Sequence, residues 1–352
     1  MKKLSLILLP TFFSLMAMSQ AKPSYTQYIL NNYVLNPALT GIENYVDVKL
    51  SIRNQWTGIN GAPVTNYFTI HGPIGKEDLR TSATSFQVPG DNPRGPEYWK
   101  QYTTSAPHHG LGLTVVNDKA GYINRWSIGA TYAYHKPLGY RTTLAAGFSL
   151  GISSVSLDRS KIVWGSLDPN DDAIGYASGE LKKIKPEIGA GLWLYSARYF
   201  VGLSVLNIIP GKAKFVKNET YGTYYTPNYF FTAGYRIALG DQASFLPSVM
   251  VQYWQPQLTG VHLNAKFQYE DKLWLGGSYR YSDLISGYSA MVGVHIANTF
   301  NVSYAYEIST SNRLRAYTGN THEIMLGFIL GNKYGDTCPR RSEERRVGKE
   351  CA

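Results

Sequence analysis

From Leu144 to Ser154 the chain reads Leu-Ala-Ala-Gly-Phe-Ser-Leu-Gly-Ile-Ser-Ser. Leu144, Ala146, Phe148, Leu150 and Ile152 share one side of an alternation, and Ala145, Gly147, Ser149, Gly151 and Ser153 share the other. A period of two predicts a β-strand, with its side chains on opposite faces. The apolar face is answered by very small residues instead of charged ones. The same alternation recurs along the chain. Val46, Val48, Leu50 and Ile52 alternate with Asp47, Lys49, Ser51 and Arg53, and Phe300, Val302, Tyr304 and Tyr306 alternate with Asn301, Ser303, Ala305 and Glu307.

Roughly fourteen such runs can be counted, each near the ~9–11 residues that a tilted strand needs to cross a bilayer. They begin near Tyr45, Val64, Gly110, Ile123, Thr142, Glu187, Tyr199, Tyr229, Phe245, Val261, Leu273, Gly287, Asn298 and His322. The runs at Val64 and Phe245 carry the weakest pattern, the latter because Pro247 interrupts it. From the fourth run onward, every second connection is tight: Pro137 to Tyr140, Ser196 to Arg198, Gly240 to Gln242, Glu270 to Lys272, and Ala297. The intervening connections are mostly longer, chiefly Leu157–Pro186, Ile208–Asn228 and Ser309–Thr321. Short periplasmic turns alternating with longer outer loops is the pattern of outer-membrane barrels. The pattern predicts an all-β fold, a transmembrane antiparallel outer-membrane β-barrel of about fourteen strands. The apolar face then meets lipid, and the small and polar face looks into the lumen.

One connection breaks the parity. Gly75 to His109 falls on the short-turn side yet is long and polar, with the aromatic-basic stretch Tyr98-Trp99-Lys100-Gln101-Tyr102 near its end. It reads either as a family-variable loop or as a periplasmic partner-docking insertion. Trp56, Tyr134, Tyr195, Tyr253, Tyr281 and Tyr306 stand at strand ends and suit an interfacial aromatic girdle.

Composition agrees with many strands: Tyr numbers 28 and Gly 34, with a mean hydropathy of -0.22. Residues 1–19 have Lys2 and Lys3 ahead of an apolar core and small residues at a cleavage site, which reads as a secretory signal peptide. Residues 20–43 form an N-terminal periplasmic or plug segment, in which Ser24 can cap a short helix from Gln27 to Asn32. Pro37 restricts Asn36, and Gly41 can end a turn. Residues 44–340 form the barrel. Residues 341–352 resemble the translation of a sequencing-library adapter and are set aside as a probable artefact; without them Cys338 is the single cysteine and no disulfide is expected. Without signal and tail the net charge falls from +10 to 28 basic against 21 acidic residues, scattered with no aromatic-interleaved stripe, so nucleic-acid binding is not indicated.

Candidate chemistry is sparse. The seven His are dispersed, and no HExxH, cysteine metal cluster or GxSxG elbow occurs. No cofactor and no metal are expected, and the chain does not read as an enzyme. Asp47, Lys49, Arg53, Glu187, Arg236, Lys266, Arg280 and Glu307 are placed facing inward, in a wet lumen or a salt-bridged filling of the bore. The long outer loops are the expected partner-binding surface. Tyr221, Tyr224 and Tyr225 are its aromatic anchor, or else part of the upper girdle. Asp168, Asp171 and Asp172 make an acidic loop that lacks the full calcium-ligand spacing.

Four blocks, in order, carry a resemblance: Tyr25 to Gly41 (YTQYILNNYVLNPALTG), Ser51 to Pro63 (SIRNQWTGINGAP), Gly110 to Gly121 (GLGLTVVNDKAG) and His322 to Gly331 (HEIMLGFILG). Together they resemble the PorP/SprF family of Bacteroidota outer-membrane proteins over nearly the whole mature chain. The family's Cys-Pro-Arg-Arg ending is matched at Cys338 to Arg341, but the aromatic that follows it is replaced here. The resemblance implies a component of the type IX secretion and gliding system that docks or retains secreted adhesins with C-terminal sorting domains at the cell surface. It also implies links to periplasmic secretion-motor or peptidoglycan-binding proteins. A passive outer-membrane porin shares every strand feature and stands as the alternative; a barrel hydrolase is a third class.

Overall fold

The computed structural model describes residues 25–78, 80–85, 99–100, 102–158, 182–213, 223–240, 242–254, 258–270, 272–282, 286–296, 299–310 and 319–331. Seven strands open the barrel: β1 (Val46–Asn54), β2 (Val64–Ile74), β3 (His108–Ala120), β4 (Ile123–Pro137), β5 (Thr143–Leu157), β6 (Lys182–Tyr195) and β7 (Tyr199–Leu206). A small hairpin of β8 (Gly211–Ala213) and β9 (Thr223–Tyr225) precedes β10 (Asn228–Tyr235), which β11 (Ile237–Leu239) continues beyond Arg236. The circuit is completed by β12 (Ala243–Trp254), β13 (Leu258–Tyr269), β14 (Leu273–Ser282), β15 (Gly287–Ile296), β16 (Phe300–Ser309) and β17 (Thr321–Leu330).

Consecutive strands of the barrel pair antiparallel, β10 pairs with both β7 and β12, β8 and β9 pair only with each other, and β1 pairs with β17 from Val46↔Leu330 to Asn54↔His322. The result is a closed barrel of fourteen strands, with β10 and β11 counted as one. Closure removes every sheet edge, which a hydrocarbon surround demands because it offers backbone groups no partners. Thirteen of the fourteen strands begin within three residues of the positions the alternation indicates, including those at Val64 and Phe245; β6 begins at Lys182, five residues before Glu187, so the 157–186 connection is shorter than expected. Pro247 does not end β12; its cost falls on the neighbouring strand, where pairing lapses at Arg236 between β10 and β11.

The alternation is inverted relative to a soluble protein. On β1, Leu50 and Ile52 are exposed while Lys49 and Arg53 are 3% and 1% exposed. On β5, Phe148, Leu150 and Ile152 all face outward. Tyr134, Tyr253 and Tyr281 are exposed near strand ends as a girdle requires, but Tyr195 is buried and faces the lumen, where His135 Nδ1 lies 3.1 Å from its hydroxyl. It is corrected from girdle to inner wall: β6 places it on the same side as Trp193, which is fully buried. Both the start of β1 and the end of β17 lie at the end of the short turns, the periplasmic end by the outer-membrane pattern.

Inner aromatics pack closely against glycines of the wall. Trp193 stacks on Phe200 with ring centroids 4.9 Å apart, and a Cβ added at Gly202 would run into the Trp193 ring. Gly202→Val is therefore expected to lower the stability of the barrel by about 1–3 kcal/mol through overpacking. Denaturant unfolding of the purified barrel in detergent, against wild type, measures this.

Candidate functional site

The lumen is occupied. Ahead of β1, residues 25–45 run through the bore as three short 3₁₀ turns, Tyr28–Leu30, Asn32–Val34 and Pro37–Leu39. This differs from the expected single helix from Gln27 to Asn32. Asn31, with φ -143° and ψ 60°, breaks the helical path and sends its side-chain amide to Thr69 Oγ1 at 3.0 Å. The cap that forms is Asn36, held extended before Pro37, whose side chain accepts from the Ala38 N–H at 2.9 Å. Ser24 lies outside the described residues. Gly41 ends the last turn with φ +73°.

Nearly every side chain of this segment is buried, and its apolar groups pack against three parts of the wall. Ile29 and Leu30 join Trp274, Met291, Met325 and Ile329. Tyr33, Ala38, Leu39 and Ile42 join Trp193, Phe200 and Leu246. Tyr28 and Leu35 join Phe230 and Met250. The small residues of the inner wall let the segment approach this closely. A Cβ at Gly147 would sit 2.5 Å from Pro37 O, and one at Gly191 would collide with the Asn36 side chain.

The segment is fastened at its upper end by a buried ionic cluster. Glu323 Oε2 accepts from the Thr26 N–H at 2.8 Å and from the Gln27 N–H at 3.4 Å, and Ser51 Oγ donates to its other oxygen at 3.1 Å. Thr26 Oγ1 donates to Glu307 Oε2 at 2.7 Å. Arg53 reaches both carboxylates, with Nη2 3.6 Å from Glu307 and Nε 3.8 Å from Glu323, and Arg280 Nη2 lies 3.3 Å from Glu307. These groups sit near the outer ends of β1, β14, β16 and β17. Mid-bore contacts follow: Tyr33 Oη lies 2.6 Å from Thr131 Oγ1, Asn36 Nδ2 donates to the Leu192 and Leu203 carbonyls, and Ser204 Oγ donates to Leu35 O at 2.6 Å.

At the periplasmic end, sequence-distant histidines converge. His108 and His135 stack with centroids 4.4 Å apart. His135 Nε2 lies 2.8 Å from Thr40 O, and His71 Nδ1 accepts from the Gly41 N–H at 3.2 Å. The dispersed reading of the histidines is thus corrected for these three, which the antiparallel pairing of β2, β3 and β4 brings together. Among the described residues no group of three or more His, Cys, Asp or Glu is arranged to hold a metal ion.

The described parts of the 75–107 connection, residues 75–78, 80–85, 99–100 and 102–107, lie at the same end. Lys76 Nζ donates to Ile42 O at 2.6 Å, Ser82 Oγ donates to Glu43, and the Ala83 N–H donates to Ser196 O at 3.0 Å. Arg236 donates to the Ala83 and Ser85 carbonyls. The guanidinium groups of Arg141 and Arg198 lie 5.0 and 4.8 Å from the centre of the Trp99 ring. Burial pushes the Glu43 carboxyl up and the Lys76 ammonium down, and each opposes the shift of the other by its charge.

The inward charges anticipated from the pattern are where expected: Asp47, Lys49, Arg53, Arg236, Lys266, Arg280 and Glu307 are buried and Glu187 is half-buried. Sequence reasoning missed Glu323 and the Glu43–Lys76 pair; Glu323 stands in strict alternation with Met325 and could have been read from it. The outer-loop residues are less accessible. Asp168, Asp171, Asp172 and Tyr221 lie outside the described residues. Tyr224 and Tyr225 belong to β9, with Lys212 of β8 opposite Tyr224.

Arg53 is the hinge of the ionic cluster. Arg53→Met is expected to cost about 3–5 kcal/mol, because it leaves Glu307 and Glu323 with less compensation in a dry interior. A milder Glu323→Gln keeps an acceptor for the Thr26 amide and is expected to cost less than half as much. Unfolding midpoints of the two variants, compared with wild type, decide this; equal costs would remove Arg53 from that role.

Residues 17–328 match the family described as type IX secretion system membrane protein PorP/SprF. No curated protein matches the chain. Among solved structures it is similar to the Acinetobacter baumannii outer membrane protein Omp33, at 10% identity and a TM-score of 0.45 over 83% of this chain and 100% of that one. It is also similar to the CymD monoaromatic hydrocarbon channel, at 14% identity and a TM-score of 0.47 over 87% and 92%. The Ralstonia pickettii toluene transporter TbuX is similar at 12% identity and a TM-score of 0.45 over 86% and 92%. With a closed fourteen-strand membrane barrel and a match over nearly its whole length, this chain belongs to the PorP/SprF family of type IX secretion system membrane proteins and resides in the outer membrane.

Proposed function

We propose that the protein is a non-enzymatic docking barrel, which retains secreted adhesins with C-terminal sorting domains at the cell surface and serves gliding as well as secretion. The observation that carries this reading is the occupied bore. Residues 25–45 touch wall strands on all sides, and Lys76, Ser82 and Ala83 add contacts at the periplasmic end. Burying Ile29, Leu30, Leu35, Leu39 and Ile42 contributes about 1.5–3 kcal/mol for each side chain relative to exposure. A segment held by several such contacts and by the Glu323 cluster does not leave by thermal fluctuation. We therefore read residues 20–43 as a plug and residues 1–19 as a removed signal.

Cargo would meet the outer loops, residues 157–186, 208–228 and 309–321, with Tyr221, Tyr224, Tyr225, Asp168, Asp171 and Asp172 as candidate contacts. A periplasmic partner, a secretion-motor or peptidoglycan-binding protein, would meet the surface formed by residues 99–104 and the Leu138–Arg141 turn. There Lys100, Leu138 and Tyr140 are exposed.

A passive porin has the same wall but needs an open path. Wild-type protein in planar bilayers is expected to conduct poorly, and deletion of Tyr25 to Asn36 is expected to raise conductance at least tenfold; a high wild-type conductance would favour the porin. In the native bacterium, deletion of the gene is expected to remove one or a few sorting-domain adhesins from the surface while general secretion continues. Surface and medium proteomes distinguish this from loss of every type IX cargo, which would make the barrel a core part of the machine.

A further inference from the structure

The turns that join β4 to β5 and β6 to β7 lie side by side at the periplasmic end, because β5 pairs with β6 up to Thr143↔Tyr195. Thr142 Oγ1 lies 2.6 Å from Tyr199 Oη across them. Residues 99–104 are tied to the first turn: Arg141 Nη2 donates to Lys100 O at 2.9 Å, and the Thr104 N–H donates to Tyr140 O at 3.0 Å. Trp99 meets one arginine from each turn, since the guanidinium groups of Arg141 and Arg198 both stand within 5.0 Å of its ring centre. A contact of this kind stabilises a cation by about 0.5–1 kcal/mol at an exposed site, but it does not neutralise the charge. Among the described residues no carboxylate pairs with either arginine. The acids at this end are engaged elsewhere: Glu43 accepts from Ser82, Asp78 accepts from Ser105 Oγ at 2.7 Å, and Glu270 pairs with Lys272 at 3.2 Å. Glu77 is exposed and bonds neither arginine. Lys136 adds a third cation, exposed and without a partner among the described residues.

We propose that this rim binds the phosphate headgroup of an anionic phospholipid in the periplasmic leaflet. Its depth is that of lipid headgroups. Lys136 shares the outward face of β4 with Tyr134, a girdle residue two positions nearer the membrane centre. A cation just beyond the aromatic girdle stands at the level of the phosphates. The tip of the same turn carries Leu138 and Tyr140, 59% and 72% exposed. Two such side chains are poorly placed in water and well placed at the boundary of headgroup and acyl chain. The charge selects the headgroup. Arginine holds phosphate oxygens in pairs through its planar fork, and two arginines on one ring present two forks to one ligand. A zwitterionic headgroup brings a cation of its own, which Lys136, Arg141 and Arg198 repel. An anionic headgroup instead relieves the repulsion among these three. The β13–β14 turn, by contrast, carries its lysine already paired. The site does not rest on the docking reading; a lipid held here flanks the surface assigned to a periplasmic partner.

The test uses the mature full-length protein, purified in an uncharged detergent and stripped of lipid. Cardiolipin, phosphatidylglycerol and phosphatidylcholine are titrated, and bound lipid is counted by native mass spectrometry. Both anionic lipids are expected to bind at least tenfold more tightly than phosphatidylcholine. Arg141→Gln and Arg198→Gln are each expected to lower that preference at least threefold. Lys272→Gln, which removes a paired cation from another periplasmic turn, is expected to leave it unchanged. Heat-dependent gel mobility checks that the variants are folded, and Lys136→Gln replaces an arginine variant that is not. Equal affinity for phosphatidylcholine overturns the proposal, as does a preference untouched in the folded variants. An equal loss in Lys272→Gln also overturns it, because net charge and not a site would then hold the lipid. Inorganic phosphate and a polyglutamate peptide are added as competitors, and neither is expected to displace cardiolipin. Displacement by phosphate would mean a general anion site, and displacement by the peptide would give the surface to an acidic protein; either result overturns the lipid assignment.

Discussion

A hydrocarbon surround supplies no hydrogen bonds, and the rest of this structure follows from that. The backbone must satisfy itself, so the fourteen strands close, and β1 finds β17 across the whole sequence. Once the wall is closed, its outer face must be apolar, and polar residues can stand only on the inner face. That is why charged Lys49 and Arg53 are nearly inaccessible while Leu50 and Ile52 are exposed. An inside crowded with Asp47, Lys49, Arg53, Lys266, Arg280, Glu307 and Glu323 needs partners of its own, because unpaired charges in a dry lumen are costly. Some of these groups pair with one another. Residues 25–45, which bring no charge except Glu43, add neutral partners: the Thr26 and Gln27 amides and the Thr26 hydroxyl bond Glu323 and Glu307, and the Gly41 amide and Thr40 carbonyl meet His71 and His135.

The small-residue face of the wall has its explanation in the same segment. A lumen left to water does not require Gly147 and Gly191, because water tolerates a larger side chain. A polypeptide pressed against the wall does require them. Pro37 and Asn36 lie where their Cβ atoms would be. Apolar inner residues, Trp193, Phe200, Trp274 and Met325, make sense on the same ground: they form cores with the segment, not with the strands alone.

The wall was legible in the sequence because a period of two survives any membrane context; each strand shows it independently, from Val46 to Leu330. What the alternation cannot show is what fills the inside. Tyr25 to Gly41 has no clear period, because its 3₁₀ turns are broken at Asn31 and again at Asn36 to suit the wall, and its burial is set by tertiary contacts. Tyr195 was placed in the girdle because a tyrosine at a strand end looks the same from sequence whether it faces lipid or lumen; only counting parity from Trp193 separates the two. The convergence of His71, His108 and His135 depends on the register of three strands, which no local pattern specifies. Among the proposed contact residues, the outer loops have no period at all, so composition alone pointed to Tyr221, Tyr224 and Tyr225.

The direction of the segment has a mechanical meaning. Thr26 is fixed among groups at the outer ends of β1, β16 and β17, whereas Thr40 to Glu43 are fixed at the periplasmic end by His135, His71, Lys76 and Ser82. One short stretch of chain therefore spans most of the bore and is fastened at both mouths. Lys76 and Ser82 connect the chain beyond β2 directly to Ile42 and Glu43. Binding at either mouth that prefers one position of the segment changes the stability of that position at the other mouth by the same free energy, since the linkage is reciprocal. A barrel with a water-filled bore would have only its stiff wall to carry such coupling; here the residues packed in the bore connect its two ends.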